Sequence, residues 1–381
     1  MDKSLASIPF GYTPGWASAK DKYDVKHTID TQRPPLRLGL VGLGGIALGK
    51  HLPAIRRLQQ TGLPISLVAG SEVDKGLRSK CELLHSFRCY ADFREMFRNE
   101  ELDAIEVLTD PGENRLPVLE AAVDCGLHLF VEKPFLFFGV TRLEESIVRA
   151  EEIVRRAREK HLVVMTGFVK QYSPPYALAH QLVAAGAIGT PALIAIKMCQ
   201  GYARHMLLEG QACHLLHIAL WIGGPIAGIQ AFGINRFAEP HYPYDNIVVN
   251  AEFASGAIGS FYFNSSSPTL KPWERFEVFG NRKWLIVEDG FSVTLHDNEE
   301  GPSNQWAPVI PHTLLFDEEF GGFTGELRAF TDAVREHKEP PITGEDGIEA
   351  LVLAQMIHTS IRERRYVSRR EMQPPVAIRK D

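Results

Sequence analysis

The first half of the chain alternates short apolar runs with stretches in which apolar residues recur at helical spacing. The apolar runs, which we predict as strands, are residues 36–41, 65–70, 104–109, 128–132 and 162–168. The amphipathic stretches, which we predict as helices, are residues 48–60, 74–85, 114–125 and 141–160. Such alternation is typical of βαβ units around a parallel sheet. We therefore predict a doubly wound α/β domain over residues 36–168.

The pattern changes after about residue 168. A predicted helix at residues 174–187 is followed by strand-like runs joined by turn-type residues, and two helices return near the end. The runs are residues 192–198, 226–234, 246–253, 257–264, 275–279, 284–287 and 292–296, and the late helices are residues 325–337 and 345–364. This pattern favours an open, mostly antiparallel sheet. We predict that residues 169–381 form an α+β domain for substrate binding and oligomerisation.

The first 35 residues show no apolar period and end in Arg33-Pro34-Pro35, a stiff extended segment before the first strand. We interpret residues 1–35 as an N-terminal arm. Two readings stay open: a loosely ordered terminus, or a strap that crosses a partner subunit and is anchored by Phe10, Tyr12 and Trp16.

Composition narrows the range of partners. The chain has 381 residues, of which 45% are apolar, and its 41 basic and 47 acidic residues give a net charge of −6, which offers no basic field for nucleic acid. Five cysteines without a Cys-x-x-Cys pair indicate neither a disulfide framework nor a zinc cluster, and we expect no metal. No apolar run reaches about 18 residues and no signal-peptide pattern opens the chain, so we expect a cytoplasmic protein with no membrane partner.

A glycine-rich turn follows the first predicted strand directly. It reads Gly42-Leu43-Gly44-Gly45-Ile46-Ala47 and opens a helix. Gly42 permits a tight turn, Gly44 lets a pyrophosphate approach the backbone, and Ala47 allows the helix to pack close to the strand. The helix N-terminus adds N–H groups and the positive end of a dipole for the phosphates. The turn therefore predicts a Rossmann-type dinucleotide site that includes Gly42, Gly44, Gly45 and Ile46.

Ser71 and Glu72 stand where the second predicted strand ends, about 30 residues after the glycine turn. A carboxylate there accepts hydrogen bonds from the adenosine ribose and meets the 2′-phosphate of NADP with like charge. The pair therefore predicts NAD rather than NADP as the cofactor. Lys75 and Arg78 complicate this prediction, because either could reach a phosphate if Glu72 turned outward.

A second segment, Cys125-Gly126-Leu127-His128-Leu129-Phe130-Val131-Glu132-Lys133-Pro134, is an apolar strand that ends in Glu-Lys-Pro. With the glycine turn upstream, it resembles the Gfo/Idh/MocA family, named for glucose-fructose oxidoreductase, inositol dehydrogenase and a rhizopine-catabolism protein. The similarity runs from Leu36 to Tyr366. It includes Leu108-Thr109-Asp110-Pro111, Gly167-Phe168, Gly186-Ala187-Ile188-Gly189-Thr190-Pro191, Asp245-Asn246 and the late helix with Phe330 and Asp332.

The resemblance implies that Lys133 lies beside the nicotinamide and the substrate hydroxyl, with a cis peptide bond before Pro134. It also implies that the cofactor site includes Thr109, Asp110, Asn114 and Glu132. The residues themselves support the assignment of the lysine. A lysine that ends an apolar strand is poorly placed for bulk water, which favours a site group. A lysine on the rim of the sheet is the alternative.

A third segment, Gly210-Gln211-Ala212-Cys213-His214-Leu215-Leu216-His217, opens a helix. Members of the family commonly read Asp-x-Gly-x-His-x-x-Asp here, and their first Asp and their His complete a catalytic group with the lysine. This chain keeps the histidine as His214 but has Gly210 and His217 at the two Asp positions. His214 is our candidate general base, because imidazole accepts a hydroxyl proton near neutral pH. A satisfied histidine at a helix N-terminus is the alternative.

His217 lies one turn further along the same predicted helix, so the two imidazoles could share a substrate or lower each other's pKa. We therefore include His217 among the catalytic candidates. Without the family's Asp, either Glu209 or Lys133 would have to tune His214.

Other positions also depart from the family pattern. Arg115 stands where relatives often have histidine, and it could pair with the cofactor or with Glu113; Gln171 stands where arginine is common. The candidate substrate contacts, beside Lys133, His214 and His217, are Tyr172, Arg204 and His205, with Lys170 and Tyr202 in the same segments.

These features predict an NAD(P)-dependent dehydrogenase or reductase that transfers hydride between nicotinamide and a secondary hydroxyl or ketone of a sugar, a glycoside or a cyclitol. One alternative is an NAD-dependent enzyme that cleaves glycosides through transient oxidation. Another is a ligand-sensing regulator on the same scaffold that has lost catalysis, which Gly210 would permit. The broad open sheet predicts a homodimer or a homotetramer.

Overall fold

The computed structural model describes residues 34–199, 206–237, 242–267, 273–297, 303–307 and 320–372. Residues 1–33 lie outside the described residues, and with them all but the end of the predicted arm.

The first sheet is built from six parallel strands of the described residues. These are β1 (Leu36–Val41), β2 (Ile65–Ser71), β3 (Arg88–Tyr90), β4 (Ala104–Val107), β5 (His128–Glu132) and β6 (Val164–Gly167), in the spatial order β3-β2-β1-β4-β5-β6. The connecting helices are α1 (Leu52–Gln60), α2 (Lys75–His85), α3 (Phe93–Asn99), α4 (Leu116–Asp124) and α5 (Leu143–Glu159). This order confirms the doubly wound architecture, in which ligands bind beyond the carboxyl ends of β1 and β4.

The apolar pattern did not predict residues 88–99 of this sheet. β3 has three residues and α3 has seven, which is too short for a clear period. β4 also ends at Val107 instead of residue 109, and α4 begins at Leu116 with Pro117 in its first turn instead of at residue 114. The loop between β4 and α4 is therefore longer than predicted, and it borders the site.

The second sheet has nine strands within the described ranges. They are β7 (Pro191–Cys199), β8 (Ile226–Ile234), β9 (Asn246–Phe253), β10 (Ile258–Asn264), β11 (Glu274–Gly280), β12 (Trp284–Glu288), β13 (Ser292–His296), β14 (Asn304–Trp306) and β15 (Val367–Ser368), in the order β14-β13-β12-β11-β7-β10-β9-β8-β15. β7 and β10 are parallel and the other neighbours antiparallel. The mostly antiparallel sheet is confirmed, but the pattern missed the short edge strands β14 and β15.

Four more helices complete the described fold: α6 (Pro174–Ala184), α7 (Cys213–Gly223), α8 (Phe323–Glu336) and α9 (Gly344–Glu363). α9 begins with a capping box, in which Thr343 and Asp346 each accept a hydrogen bond from the other's backbone N–H. α9 packs against both α5 and β8, and α8 packs against α1. Helices from the end of the chain therefore hold the two sheets together, and the predicted division at residue 168 stays a prediction. None of the helices in the described residues is both long and apolar enough to cross a membrane.

Candidate active site

The glycine turn between β1 and α1 has a backbone that only glycine accommodates at its first position. Gly42 has a φ of +92°, and a methyl group in place of its hydrogen would lie 2.9 Å from the amide nitrogen of Thr109. The Gly42 N–H donates to the Ser71 carbonyl at 2.8 Å. The turn is thereby held against the ends of β2 and β4.

Space lies open above the rest of the turn. A methyl group built on Gly44 or Gly45 would meet no atom within 4 Å. Ile46 is exposed, whereas Ala47 is fully buried and begins a π-helical turn (Ala47–His51) that leads into α1. The start of a helix beneath an uncovered backbone suits a pyrophosphate, so these residues fit a dinucleotide.

Glu72 faces the glycine turn. Its Oε2 accepts from the Leu43 N–H at 2.9 Å and its Oε1 accepts from the Asp74 N–H at 3.0 Å. Arg78 donates to the carbonyls of Glu72 and Val73, at 2.6 and 2.7 Å. The arginine is therefore anchored to the end of β2, while the Glu72 carboxylate borders the dinucleotide space. Glu72 does not turn outward, so Arg78 is not left free to bind a phosphate.

The loop after β4 carries three of the predicted cofactor residues. Thr109 lies against Gly42, and its hydroxyl is buried without a hydrogen-bond partner among the described residues. Asp110 and Asn114 are exposed at the same edge. The loop thus places a buried hydroxyl and two exposed polar groups beside the glycine turn.

Lys133 directly follows β5, and its side chain reaches residues of the second half of the chain. The Lys133–Pro134 peptide bond is cis, as predicted. The Lys133 Nζ donates to the backbone carbonyl of Gly210 at 2.7 Å. Gly210 belongs to a π-helical turn (Leu207–Ala212) that runs into α7. The lysine is therefore held directly against the helix that carries His214.

Arg115 contradicts its predicted roles. The side chain is 1% exposed and points under the Glu-Lys-Pro segment, away from Glu113. Its guanidinium donates to the carbonyls of Thr109, Glu132, Pro134 and Phe135. Burial lowers the pKa of Arg115 to about 10, although nearby Glu132 and Asp110 raise it. Arg115 therefore links two loops through hydrogen bonds to their backbone carbonyls. Glu113 forms an ion pair with Arg142 instead.

His214 lies in the first turn of α7 and is 8% exposed. Its Nδ1 is buried without a hydrogen-bond partner in the described part of the chain, and its ring meets Phe168 edge-on at 6.3 Å. Burial, followed by the positive charges of Lys133 and Lys170, holds the pKa of His214 well below 6.5. The imidazole is consequently neutral at neutral pH.

His217 does not join His214 at a shared position. Its ring stacks on Phe168 with centroids 4.3 Å apart, and its Nε2 lies 2.8 Å from the Gln171 side-chain oxygen. With Gln171 it lines a separate cavity of about 620 Å³ between α5, α7 and α9, to which neither Lys133 nor His214 contributes. Burial lowers the pKa of His217 to about 4. After burial and the two lysines, His217 contributes to the low pKa of His214, as one of the two alternatives expected, and a substrate shared by the two imidazoles stays a prediction.

Tyr172 and Lys170 contact other residues of the protein interior. Tyr172 lies against Gly325 of α8, and its hydroxyl is buried without a partner among the described residues. The Lys170 Nζ donates to both carboxylate oxygens of Glu274, at 2.7 and 2.6 Å. Neither residue presents its polar group to open space, which disfavours the predicted substrate contacts. Tyr202, Arg204 and His205 lie outside the described residues.

Two family models match the chain. One, the oxidoreductase family with an NAD-binding Rossmann fold, covers residues 36–168, and the other, the GFO/IDH/MocA C-terminal domain, covers residues 176–286. The chain belongs to the GFO/IDH/MocA family. The family resemblance of the glycine turn and the Glu-Lys-Pro segment is thereby confirmed, and the protein is an oxidoreductase with an NAD-binding Rossmann fold.

Several relatives span nearly the whole chain. The myo-inositol 2-dehydrogenase of Thermotoga maritima is 24% identical over 351 residues, which cover 88% of this chain and 99% of that protein. YrbE, an uncharacterised oxidoreductase of Bacillus subtilis, is 24% identical over 338 residues, 85% of this chain and 93% of that protein. A solved levoglucosan dehydrogenase in complex with NADH and levoglucosan has a TM-score of 0.77 at 16% identity, covering 88% of this chain and 99% of that one, and so shares the fold.

The structure gives a physical account of the main departure from the GFO/IDH/MocA pattern. At the position of the family's first Asp, this chain offers the Gly210 carbonyl, which accepts the Lys133 hydrogen bond. Glu209 does not substitute for the Asp. It is 1% exposed, accepts from the Tyr242 hydroxyl at 2.8 Å and lies 2.7 Å from the His358 Nε2. Of the two groups proposed to tune His214, Lys133 acts on its pKa and Glu209 does not.

The sequence reasoning missed three members of one buried group, and it predicted the fourth, Glu132, as a cofactor residue, whereas the Glu132 side chain turns inward to His51. His51, Glu106, Glu132 and Glu326 meet in the interior, and each is at most 6% exposed. Glu106 was the detectable member, because a carboxylate inside a four-residue buried strand needs a partner. Glu326 gave no local signal, since its neighbours Glu132 and His51 are 194 and 275 residues away in the sequence.

Proposed function

We propose that this chain is an NAD-dependent dehydrogenase that transfers hydride between the nicotinamide and a secondary hydroxyl or ketone of a sugar, a glycoside or a cyclitol. The supporting observation is the 2.7 Å hydrogen bond from the Lys133 Nζ to the Gly210 carbonyl. It brings a cation at the end of a central strand to the helix that carries a neutral, buried histidine. Relatives named as inositol and levoglucosan dehydrogenases support the substrate class.

The proposed chemistry divides between the cofactor and two side chains. A bound NAD⁺ would supply the acceptor for the hydride, with both electrons, that leaves the carbinol carbon as it becomes a carbonyl. Lys133 orients the substrate oxygen and stabilises negative charge as the hydroxyl proton leaves. His214 accepts that proton, and the acceptor is Nε2 because Nδ1 is buried. A neutral imidazole is ready for this role at neutral pH.

The cofactor preference rests on Glu72. Its carboxylate is fixed against the Leu43 N–H, beside the space above the glycine turn. A 2′-phosphate would meet this charge in a partly desolvated place, whereas ribose hydroxyls would donate to it. The proposed cofactor is therefore NAD. The remaining dinucleotide contacts that we propose are Gly42, Gly44, Gly45, Ile46, Ser71 and the loop that carries Thr109, Asp110 and Asn114.

The proposed assembly is a homodimer or homotetramer through the outer face of the second sheet. Phe232, Val248 and Tyr262 form a row across β8, β9 and β10, because the two strand registers pair them in turn. Their exposures are 60%, 45% and 47%. A row of large apolar side chains on an open sheet is an expected subunit contact.

The experiment begins with the purified protein. Absorbance and fluorescence spectra detect co-purified NAD(H), and a panel of cyclitols, sugars and glycosides is then screened with NAD⁺ for growth of the reduced nicotinamide band. We expect net reduction with at least one polyol. Release of an aglycone without net NADH would favour the glycoside-cleaving alternative. Tight cofactor and ligand binding with no turnover would favour the regulator.

A further inference from the structure

Four titratable side chains from four elements meet behind the Glu-Lys-Pro segment. They are His51 of the π-helical turn, Glu106 of β4, Glu132 of β5 and Glu326 in the first turn of α8. The His51 Nδ1 lies 2.8 Å from the Glu106 Oε2, and its Nε2 lies 3.1 Å from the Glu132 Oε1. Phe130 and Phe323 close the ring in edge-on, each with centroids 5.6 Å away. The cluster is almost wholly shielded from solvent.

Glu326 is the member of the cluster that has neither a hydrogen bond nor an ion pair with a described residue, whereas Glu106 has an ion pair with His51 although its oxygens accept no hydrogen bond. Both of its carboxylate oxygens are buried and accept no hydrogen bond among the described residues, and the residue is 0% exposed. One of its oxygens lies within 4.8 Å of both a His51 ring nitrogen and a Glu132 oxygen. A bare carboxylate is expensive to bury without a donor. A carboxylic acid in the same place brings its own donor and faces acceptors.

The charges around the cluster favour a protonated, neutral Glu326. Burial disfavours the charged form of His51, but contacts with Glu106 and Glu132 outweigh it and raise the pKa of His51 to about 10. Burial, followed by the negative charge of Glu132, raises the pKa of Glu326 well above its usual value. Glu326 is faced by Glu106, Glu132 and Lys133 at the first sheet, by His51 from the π-helical turn, and by Tyr172 from the turn before α6.

We propose that Glu326 is held as a neutral carboxylic acid facing the Glu132 carboxylate, and that it is a positioning residue for Lys133. Glu132 is then held on its side chain by His51 and Glu326 and on its carbonyl by Arg115. Because Lys133 is the next residue, these contacts of Glu132 fix the backbone position from which the Lys133 side chain extends. The positioning role rests on the proposed function; the protonation state of Glu326 does not.

The same side chains lie close enough together to hold a metal ion, which would be a different explanation of the orphan carboxylate. However, both ring nitrogens of His51 already lie close to carboxylate oxygens, with a hydrogen bond at Nε2 and an ion-pair contact without hydrogen-bond geometry at Nδ1. A protonated His51 therefore accounts for both contacts without a metal ion. Elemental analysis of the purified protein tests this directly. We expect no stoichiometric metal; one transition-metal ion per chain that is lost in Glu326→Gln would overturn the proposal.

The protonation itself is tested by infrared difference spectroscopy at about pH 8, with wild type compared to Glu326→Gln. A neutral carboxylic acid has a carbonyl stretch above the amide band, and exposed carboxyl groups are ionised at this pH. We expect one such band in the wild type that disappears in Glu326→Gln. It should persist in Glu336→Gln, which alters an exposed carboxylate on the same helix. No band in the wild type at this pH would overturn the proposal, whether or not a substrate is known.

The positioning role is tested by kinetics of Glu326→Gln and Glu326→Ala. Glutamine keeps the volume and an N–H donor toward Glu132, so its kcat should stay within about threefold of wild type. Alanine removes both, and we expect kcat to fall on the order of tenfold with little change in the KM for NAD, because a displaced Lys133 misorients a bound substrate. Equal kcat in wild type and alanine variant would overturn this role, as would a glutamine variant as poor as alanine. If alanine does not fold, the glutamine variant still decides.

Discussion

The two edges of the proposed cleft hold their ligands in different ways. At the dinucleotide edge, residues 42–46 and 71–72, uncovered backbone and one carboxylate fixed by two backbone N–H groups form the surface. At the α7 edge, Lys133 and His214 form it, and the low pKa of His214 depends on burial and on the charge of Lys133. Where many backbone groups bind a ligand, one substitution removes only part of the affinity. Where two side chains act together in catalysis, one substitution removes most of the activity. The largest effects should therefore lie at the α7 edge.

Lys133→Ala and His214→Ala should each lower kcat by about 100-fold or more, the scale of a positioned acid–base group. Because neither residue forms the glycine turn, the Kd for NADH, measured by fluorescence titration, should change little. Lys80→Ala, at an exposed position of α2, is the control and should match the wild type. Rates within a few-fold of wild type for both variants would move the chemistry away from α7.

Gly42→Ala should have the largest effect at the dinucleotide edge. The added methyl group meets the Thr109 amide at 2.9 Å in a backbone conformation that L-residues rarely adopt. A strained position of this kind costs roughly 1–3 kcal/mol, so NADH affinity should fall about tenfold to a hundredfold. Gly49→Ala is the matched control, because a methyl group there meets no atom within 4 Å. Equal Kd values for both variants would mean that the turn adapts.

Glu72→Ala should change which dinucleotide is preferred. The carboxylate disfavours a 2′-phosphate by roughly 1–3 kcal/mol, so its removal should raise NADP affinity relative to NAD by about tenfold to a hundredfold. The control is Asp74→Ala, which removes an exposed carboxylate whose role is to cap α2 through the Leu77 N–H. Wild-type protein that already binds NADP more tightly than NAD would contradict the role given to Glu72.

The local chemistry of the dinucleotide edge explains why it could be predicted. Gly42 and Glu72 are constrained by neighbours along the β1–α1 and β2–α2 connections, and the spacing of those neighbours is visible in the sequence. The cis bond before Pro134 also follows a short motif. In contrast, β3, β14 and β15 are too short to show a period, and they were missed.

The α7 edge could be predicted only in part because its contacts join distant positions. Lys133 and Gly210 are 77 residues apart, and the group that accepts the Lys133 hydrogen bond is a backbone carbonyl, which cannot be inferred from the residue type. Glu209 was a reasonable partner for His214, yet it turns to His358, which is 149 residues away. Arg115 offers a charge that suits a cofactor, but tertiary packing places it beneath the loops. Motifs therefore identify which residues matter, and the fold decides what they touch.

The pH dependence should separate His214 from a histidine with an ordinary pKa. Its pKa is lowered, and the neutral form is the one that accepts a proton, so the active form persists as the pH falls through 6.5. Oxidation of a polyol should therefore have a kcat/KM that changes less than about twofold between pH 8 and pH 6.5 and that falls only at lower pH. An acid limb centred at or above pH 6.5 would assign the base to another group.

His217→Ala should have the smallest effect, because the residue stacks on Phe168 and faces a different cavity. Loss of an aromatic contact is worth about 0.5–1.5 kcal/mol of stability, and the support it gives Phe168 beside His214 should limit the fall in kcat to a few-fold. His180→Ala is matched to it, since His180 of α6 stacks on Trp221, near the end of α7 that is distant from His214, with centroids 3.9 Å apart. Both variants should melt at a lower temperature, and only His217→Ala should lose activity. A fall in kcat as large as that of His214→Ala would restore His217 as a catalytic group and remove the distinction between the two histidines of α7.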